Sequence, residues 1–344
     1  MQAVHISFNL ELKHPFTIAG FTRTSTPLLL LKLTYENIDG YGEASMVPYL
    51  GESYRSAAAF LQKVDWTRFK QPFNFGDFMA YLDSIDSGNP AIKAAIDIAL
   101  NDINGKILQK PCFEIYKADP AKMPVTSYTI GIAAPALIKE KVAEANGFKV
   151  LKVKLGSGQD KELINAIRSV SNLPLYIDAN QGWTDRKMAI DLIYWLHDQG
   201  AVLIEQPMDK ANIEGNAWLT GRSPIPILAD EAVQRLSDID HIKGAYHGIN
   251  VKLMKSGGMY EANQMILKAR SYGMKVMIGC MSETSIATQA GLALAPLCDW
   301  VDLDGPFLTT NNPFETPAFE QGRYILKDLP GLGLKGLSAN LFLP

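Results

Sequence analysis

A chain of 344 residues is long enough for about two domains, or for one barrel with additions. Its composition, 47% apolar and 20% charged, is that of an ordinary globular protein. A net charge of −3 with no block of like charges speaks against a nucleic-acid partner, which needs a basic surface.

The first section has a rhythm of its own. Apolar, β-branched runs at 2–12 and 27–35, with turn chemistry at Asn37, Asp39 and Gly40, predict an antiparallel meander. No basic stretch followed by a long apolar run opens it, so no signal peptide is expected. The apolar run from Leu28 to Leu31 is too short to span a bilayer. Helices are predicted over 53–64 and 90–108, the second opening on Asn89 as N-cap and Pro90 as first helical residue. Strands followed by helices indicate an α+β domain, placed at 1–120.

From Pro124 the pattern alternates between strand and helix. Strands are predicted at 125–132, 150–156, 174–182, 202–207, 226–231, 248–254, 275–281 and 300–306, with helices between them. The helix over 184–199 places Ile190, Ile193, Tyr194 and Leu196 on one side after a Thr184 cap. After the eighth strand there is no room for a full helix, since Pro313 and Pro317 interrupt the chain and 324–334 has the composition of strand and turns. The expected fold is therefore α/β: a modified TIM barrel, (β/α)7β, over 121–317. An α+β capping domain would be formed by 1–120 and completed by the tail, 318–344. Gly331, Gly333 and Gly336 match a dinucleotide-binding GxGxxG, but no strand–turn–helix unit surrounds them, so that reading is set aside.

Ionisable residues close these strands at nearly constant spacing. From Lys154 the steps are 24 to Asp178, 27 to Glu205, 25 to Asp230 and 22 to Lys252, then 50 to Asp302, about two such steps. One strand, one helix and two loops need roughly that length. The chain thus sets one such group at the same point of consecutive units, which in a parallel barrel is the C-terminal mouth.

Asp178, Glu205 and Asp230 end neighbouring strands. Three converging carboxylates raise one another's pKa unless a cation joins them. An all-oxygen set without His or Cys suits Mg²⁺. The five histidines fall at none of the strand ends, which speaks against zinc. Lys154 and Lys252 end strands four apart in a ring of eight, so they face each other and can work on both sides of one substrate carbon. A lysine base needs its pKa lowered, which Lys152, Lys255 or the metal could supply. Asp302 and Asp304, two residues apart across the mouth from the metal, suit a substrate cation such as an ammonium.

These residues carry a resemblance. Lys152-Val-Lys154, Asp178-Ala-Asn180, Glu205-Gln-Pro207, Ala229-Asp230-Glu231, Asn250-Val-Lys252 with Ser256-Gly257-Gly258, and Gly40-Tyr-Gly42-Glu43-Ala44 are similar to motifs of the enolase superfamily, muconate-lactonizing subgroup. Gly279-Cys-Met-Ser-Glu283-Thr-Ser285 followed by Asp302-Leu-Asp304-Gly-Pro306 resembles the dipeptide epimerases of the L-Ala-D/L-Glu type.

The resemblance implies one Mg²⁺ per subunit on Asp178, Glu205 and Asp230, and Lys154 and Lys252 as the two bases of a 1,1-proton transfer. It further implies a dipeptide substrate whose ammonium meets Asp302 and Asp304. Lys152, Met281 and Ser282 would also face that substrate, and Arg23 would select an acidic side chain. A cycloisomerase or an o-succinylbenzoate synthase-type lyase on the same scaffold is the alternative. Cys112, Cys280 and Cys298, far apart and without a CxxC, fit reduced thiols of a cytoplasmic protein with no membrane association. Whether it forms a homo-oligomer is left open.

Overall fold

The computed structural model describes residues 1–18, 21–47, 51–337 and 341–342. Part of the predicted tail, 338–340 and 343–344, lies outside the described residues. The meander is present as β1 (Gln2–Ile18), β2 (Phe21–Tyr35) and β3 (Ile38–Ser45), an antiparallel sheet in the order β1-β2-β3. The run Leu28–Leu31 is buried in its central strand rather than in lipid.

Four helices follow: α1 (Tyr54–Lys63), α2 (Phe75–Ile85), α3 (Pro90–Leu108) and α4 (Cys112–Ile115). The sequence did not predict α2, whose buried side chains Phe78, Met79 and Leu82 span little more than one turn. Helix α3 lies deep in the fold, and the glycines of β3 let the sheet approach it. A Cβ on Gly42 would sit 1.8 Å from the carbonyl oxygen of Ala95.

The expected Asn89 cap is corrected. Asn89 takes a left-handed conformation, φ 55°, and makes no side-chain cap bond. The Glu52 carboxylate does that work from another segment, accepting from Ala91 N (2.8 Å) and Ile92 N (3.3 Å). A negative group there also complements the helix dipole.

All eight barrel strands are present, each shorter than predicted. They are β4 (Tyr128–Ile130), β5 (Leu151–Lys154), β6 (Leu175–Asp178), β7 (Ala201–Glu205), β8 (Ile227–Ala229), β9 (Gly248–Lys252), β10 (Lys275–Gly279) and β11 (Trp300–Asp302). They pair in parallel in chain order, and the ring closes where Thr126 bridges Val301. Outside them lie α5 (Pro135–Glu144), α6 (Asp160–Arg168), α7 (Arg186–Asp198), α8 (Ile213–Thr220), α9 (Asp238–Ile242), α10 (Leu253–Ser256), α11 (Met259–Ser271) and α12 (Ser285–Leu294). Asp185, not Thr184, caps α7, accepting from Lys187 N (2.7 Å) and Met188 N (3.2 Å).

Among the described residues no α-helix follows β11; a 3-10 turn at Gly305–Phe307 and the short ribbon of β12 (Phe319–Glu320) and β13 (Arg323–Tyr324) come instead. Gly331 then docks between α3 and α4. It donates to Lys110 O (3.0 Å) and accepts from Cys112 N (2.9 Å), while Leu332 N reaches Asp102 Oδ1 (2.9 Å). The GxGxxG pattern is thus a docking turn. No helix among the described residues is long and apolar enough to cross a membrane.

Candidate active site

Strand register sets the site. Lys154 pairs with Asp178, and Asp178 with Glu205, while Gly279 pairs with both Lys252 and Asp302. Asp230 follows β8 directly. All seven residues flagged by the strand-end spacing, Asp304 included, are therefore at one end of the barrel and almost wholly buried.

Carboxylate oxygens of Asp178, Glu205 and Asp230 lie within 4.8 Å of one another. Each is held from behind. Asp178 Oδ1 accepts from Asn180 N (2.9 Å), where the chain turns through a left-handed φ of 43°. Glu205 Oε1 accepts from Asn250 Nδ2 (2.8 Å). The Gln206 side chain fixes the backbone beyond β8, accepting from Asp230 N (2.9 Å) and Ala232 N (3.1 Å).

Four lysines surround this cluster. Lys154 Nζ is 2.5 Å from Asp178 Oδ2, and Lys252 Nζ is 2.7 Å from Asp230 Oδ2. Lys255 Nζ reaches Asp230 Oδ1 (2.6 Å) and the Asp230, Val233 and Asn250 carbonyls. Lys152 Nζ lies between Asp302 Oδ2 (2.6 Å), Glu205 Oε2 (2.7 Å) and Asp178 Oδ2 (3.4 Å).

The charges explain the titration pattern. Burial, then the neighbouring Asp178 carboxylate, pushes Glu205 up to about 7. Burial and Asp230 do the same to Glu231, also to about 7. At Asp178 burial acts upward too, but the ammoniums of Lys154 and Lys152 outweigh it and hold the pKa below the ordinary value. Among the described residues Asp178, Glu205, Asp230, Glu231, Asp302 and Asp304 lie around Lys152, Lys154, Lys252 and Lys255. Acids thus outnumber lysines around the triad, which favours a bound cation there. The all-oxygen donor set fits a hard divalent cation.

The expected pair Asp302 and Asp304 is brought to the mouth, but the two differ in their partners. Asp302 holds an internal cation, Lys152, and accepts from Ser127 Oγ at its other oxygen (2.6 Å). Asp304 accepts from Thr129 N (2.6 Å), and burial followed by Asp302 pushes it up to about 7. Ser127 and Thr129 were missed in the sequence. A polar Ser127 just before the apolar strand β4 was the available signal, whereas Thr129 acts through its backbone N–H, which residue type does not reveal.

Arg23 on β2 reaches the loop after β10, donating from Nη2 to Ser282 Oγ (2.7 Å) with its guanidinium 5.4 Å from the Phe16 ring centre. Two further residues of the first sheet hold that loop. Ser45 Oγ donates to Ser282 O (2.7 Å), and the buried Glu43 carboxylate accepts from Thr284 N (2.9 Å), Thr284 Oγ1 and Ala287 N (3.4 Å). Met281, 9% exposed, lies on the same loop, and its N–H donates to Glu283 Oε1 (2.9 Å).

A closed parallel barrel with lysines and acids at its mouth and an antiparallel sheet over it defines a class of enzymes, and sequence comparison agrees. Residues 1–115 match the family described as mandelate racemase / muconate lactonizing enzyme, N-terminal domain, and residues 136–336 match enolase C-terminal domain-like. The chain belongs to this family, within the enolase superfamily.

More particularly, it is 47% identical to the L-Ala-D/L-Glu epimerase of Bacteroides thetaiotaomicron, over 97% of this chain and 88% of the relative. Dipeptide epimerase from Enterococcus faecalis, solved with Mg and L-Leu-L-Tyr, superposes with a TM-score of 0.88 at 30% identity, covering 97% of this chain and 99% of that one. The substrate-liganded L-Ala-D/L-Glu epimerase of Bacillus subtilis gives a TM-score of 0.90 at 26% identity, covering 98% and 99%.

Proposed function

We propose that this protein is a Mg²⁺-dependent dipeptide epimerase that inverts the α-carbon of the C-terminal residue by two-base 1,1-proton transfer. The observation that carries it is the placement of Lys154 and Lys252 on strands β5 and β9, four apart in the ring. Each is bonded to an outer member of the acidic triad. The relatives above support the substrate class.

Asp178, Glu205 and Asp230 would hold the metal, which when bound would supply positive charge against the negative charge that develops on the substrate. The substrate's C-terminal carboxylate faces the triad, and its ammonium faces Asp304 and Asp302 across the mouth. Lys154 takes the α-proton of the L-epimer, and protonated Lys252 delivers one to the opposite face; the D-epimer runs the other way. Lys152 ties the metal end to the ammonium end. Met281 and Ser282 wall the substrate, with Arg23 set to meet an acidic side chain. The first sheet, whose Arg23, Glu43 and Ser45 bind the loop after β10, would exclude water from the reacting carbon as part of a capping domain assigned to 1–120 with the tail.

The test is proton exchange in D₂O. Lys154→Ala and Lys252→Ala should both abolish epimerisation. The first keeps exchange of the D-epimer's α-proton, the second that of the L-epimer, because exchange needs only one base and a stabilised enolate. Near wild-type interconversion by either variant would sink the two-base reading. A lyase shows no such mirrored pattern.

A further inference from the structure

The two candidate bases are supported differently. Lys252 is followed directly by helix α10. Lys154 runs instead into Leu155-Gly156-Ser157-Gly158-Gln159, where both glycines take left-handed conformations, φ 92° and 86°. Such a run has little stiffness of its own, since glycine restricts the backbone least.

Asp160 supplies what the run lacks. It opens α6 and is 8% exposed, yet both of its carboxylate oxygens bond outside that helix. Oδ1 accepts from Gly156 N (2.9 Å), and Oδ2 accepts from the indole Nε1 of Trp183 (3.0 Å). Trp183 lies in the loop beyond Asp178 and is anchored on its far side. Its N–H donates to Pro207 O (3.0 Å), and Gln181 N donates to Gln206 O (2.9 Å). The loops after β5 and β6 also meet backbone to backbone. A Cβ on Gly156 would sit 2.5 Å from the Ala179 oxygen, and one on Gly182 would sit 2.5 Å from Gly156 Cα. An acid at the start of a helix is favoured for its charge alone. One whose two oxygens tie a second loop to a third element has a geometric consequence as well.

We propose that Asp160 is a positioning residue for one face of the reaction. Through Gly156 and Trp183 it fixes the backbone beyond Lys154 and so aims that base at the α-carbon, with no bearing on Lys252. The proposal rests on the two-base reading and deepens it, since it makes the two faces separately adjustable.

The experiment follows α-proton exchange and inversion of L-Ala-L-Glu and L-Ala-D-Glu in D₂O with Mg²⁺, for wild type, Asp160→Asn and Trp183→Phe. Asparagine sets an N–H against either the Gly156 amide or the indole, and phenylalanine removes the indole donor alone. A misplacement of about 1 Å costs on the order of a hundredfold, so exchange of the L-epimer, which Lys154 starts, should fall by roughly 10- to 100-fold in both variants. Inversion should fall in both directions, because Lys154 also delivers the proton that makes the L-epimer. Exchange of the D-epimer, which Lys252 starts, should stay within about threefold of wild type, with configuration retained. The double variant should lose little more than either single one, since both break the same clamp.

Equal losses for both epimers, a loss confined to the D-epimer, or no loss at all overturn the proposal. A wild type that exchanges neither epimer defeats the two-base reading itself. Amide hydrogen exchange reads the clamp without substrate: residues 155–159 should exchange faster in both variants, while 253–258 do not change. Unchanged exchange at 155–159 overturns the proposal. Faster exchange along the whole chain marks a variant as misfolded, and the other variant then decides.

Discussion

Replacing Glu43 by glutamine keeps the shape of the side chain and removes its charge. Glu43 is fully buried on β3, and burial pushes its pKa from 4.5 up to about 7 in spite of the donors from Thr284 and Ala287. The native state therefore keeps a proton there at pH values where the unfolded chain has lost it. The associated stability is complete below pH 4.5, declines as pH rises toward 7, and is lost above that. Two and a half units correspond to about 3 kcal/mol.

Glutamine does not titrate, so the stability of wild type relative to Glu43→Gln should fall by about that amount between pH 4.5 and 7.5. Glu283, raised to about 8 by burial and then by the Glu43 charge, should titrate lower in the variant and carry part of the change. Urea unfolding of both proteins across this range measures the difference. Glu43→Ala, which does not titrate either, is expected to be about 2–4 kcal/mol less stable than Glu43→Gln at every pH, since it orphans the amides of Thr284 and Ala287. A wild-type-minus-glutamine difference that is flat, or that grows with pH, would refute the reasoning. A flat difference would mean that burial does not move the pKa, and a growing one that the carboxylate is charged and stabilising where it sits.

Other predictions concern the mouth itself. Asp178→Asn, Glu205→Gln and Asp230→Asn should each weaken Mg²⁺ binding in calorimetry and lower kcat/KM by at least about a hundredfold, since several kcal/mol of enolate stabilisation depend on the metal. Chelation should silence the wild type reversibly, and full turnover in excess EDTA would defeat the metal assignment. Asp304→Asn should raise KM for free dipeptides and erase their advantage over N-acetyl analogues. Ser127→Ala, which removes one charged hydrogen bond from Asp302, should do the same more weakly, on the order of tenfold. Wild-type enzyme that handles acetylated and free dipeptides equally well would show that these acids do not bind an ammonium.

Strand order and the main site residues were legible because a parallel barrel repeats one local unit. A charged residue closing an apolar run every 22 to 27 positions is visible in one dimension. What was not legible depends on pairing between distant segments. Asn89 has the right chemistry for a cap, yet Glu52 fills that place because its carboxylate reaches the helix end from outside. Asp302 and Asp304 look equivalent in sequence, but only Asp302 meets Lys152, 150 residues earlier. Glu43, quoted in the sequence as part of a motif, gains its meaning 241 residues away at Thr284. Helix α2 escaped for a local reason: its buried side chains cover too short a span to show a period.

The order of residues around the ring bears on why this mouth suits epimerisation in particular. From β5 to β9 the strand ends read Lys154, Asp178, Glu205, Asp230, Lys252, a sequence that is the same from either side of Glu205. The bonding follows the order: each lysine is held by the acid next to it, and each has a second buried lysine close by, Lys152 on one side and Lys255 on the other. An enzyme that removes a proton from one face and leaves needs a base on that face only. One that accepts either epimer as substrate needs a base on each face, one to take the proton and the other to give one. Asp302 breaks the mirror by holding Lys152 from the β11 side, where the proposed function puts the ammonium end of the substrate. In the proposed reaction the symmetric part would address the carbon being inverted, and the asymmetric part would fix which end of the dipeptide points where.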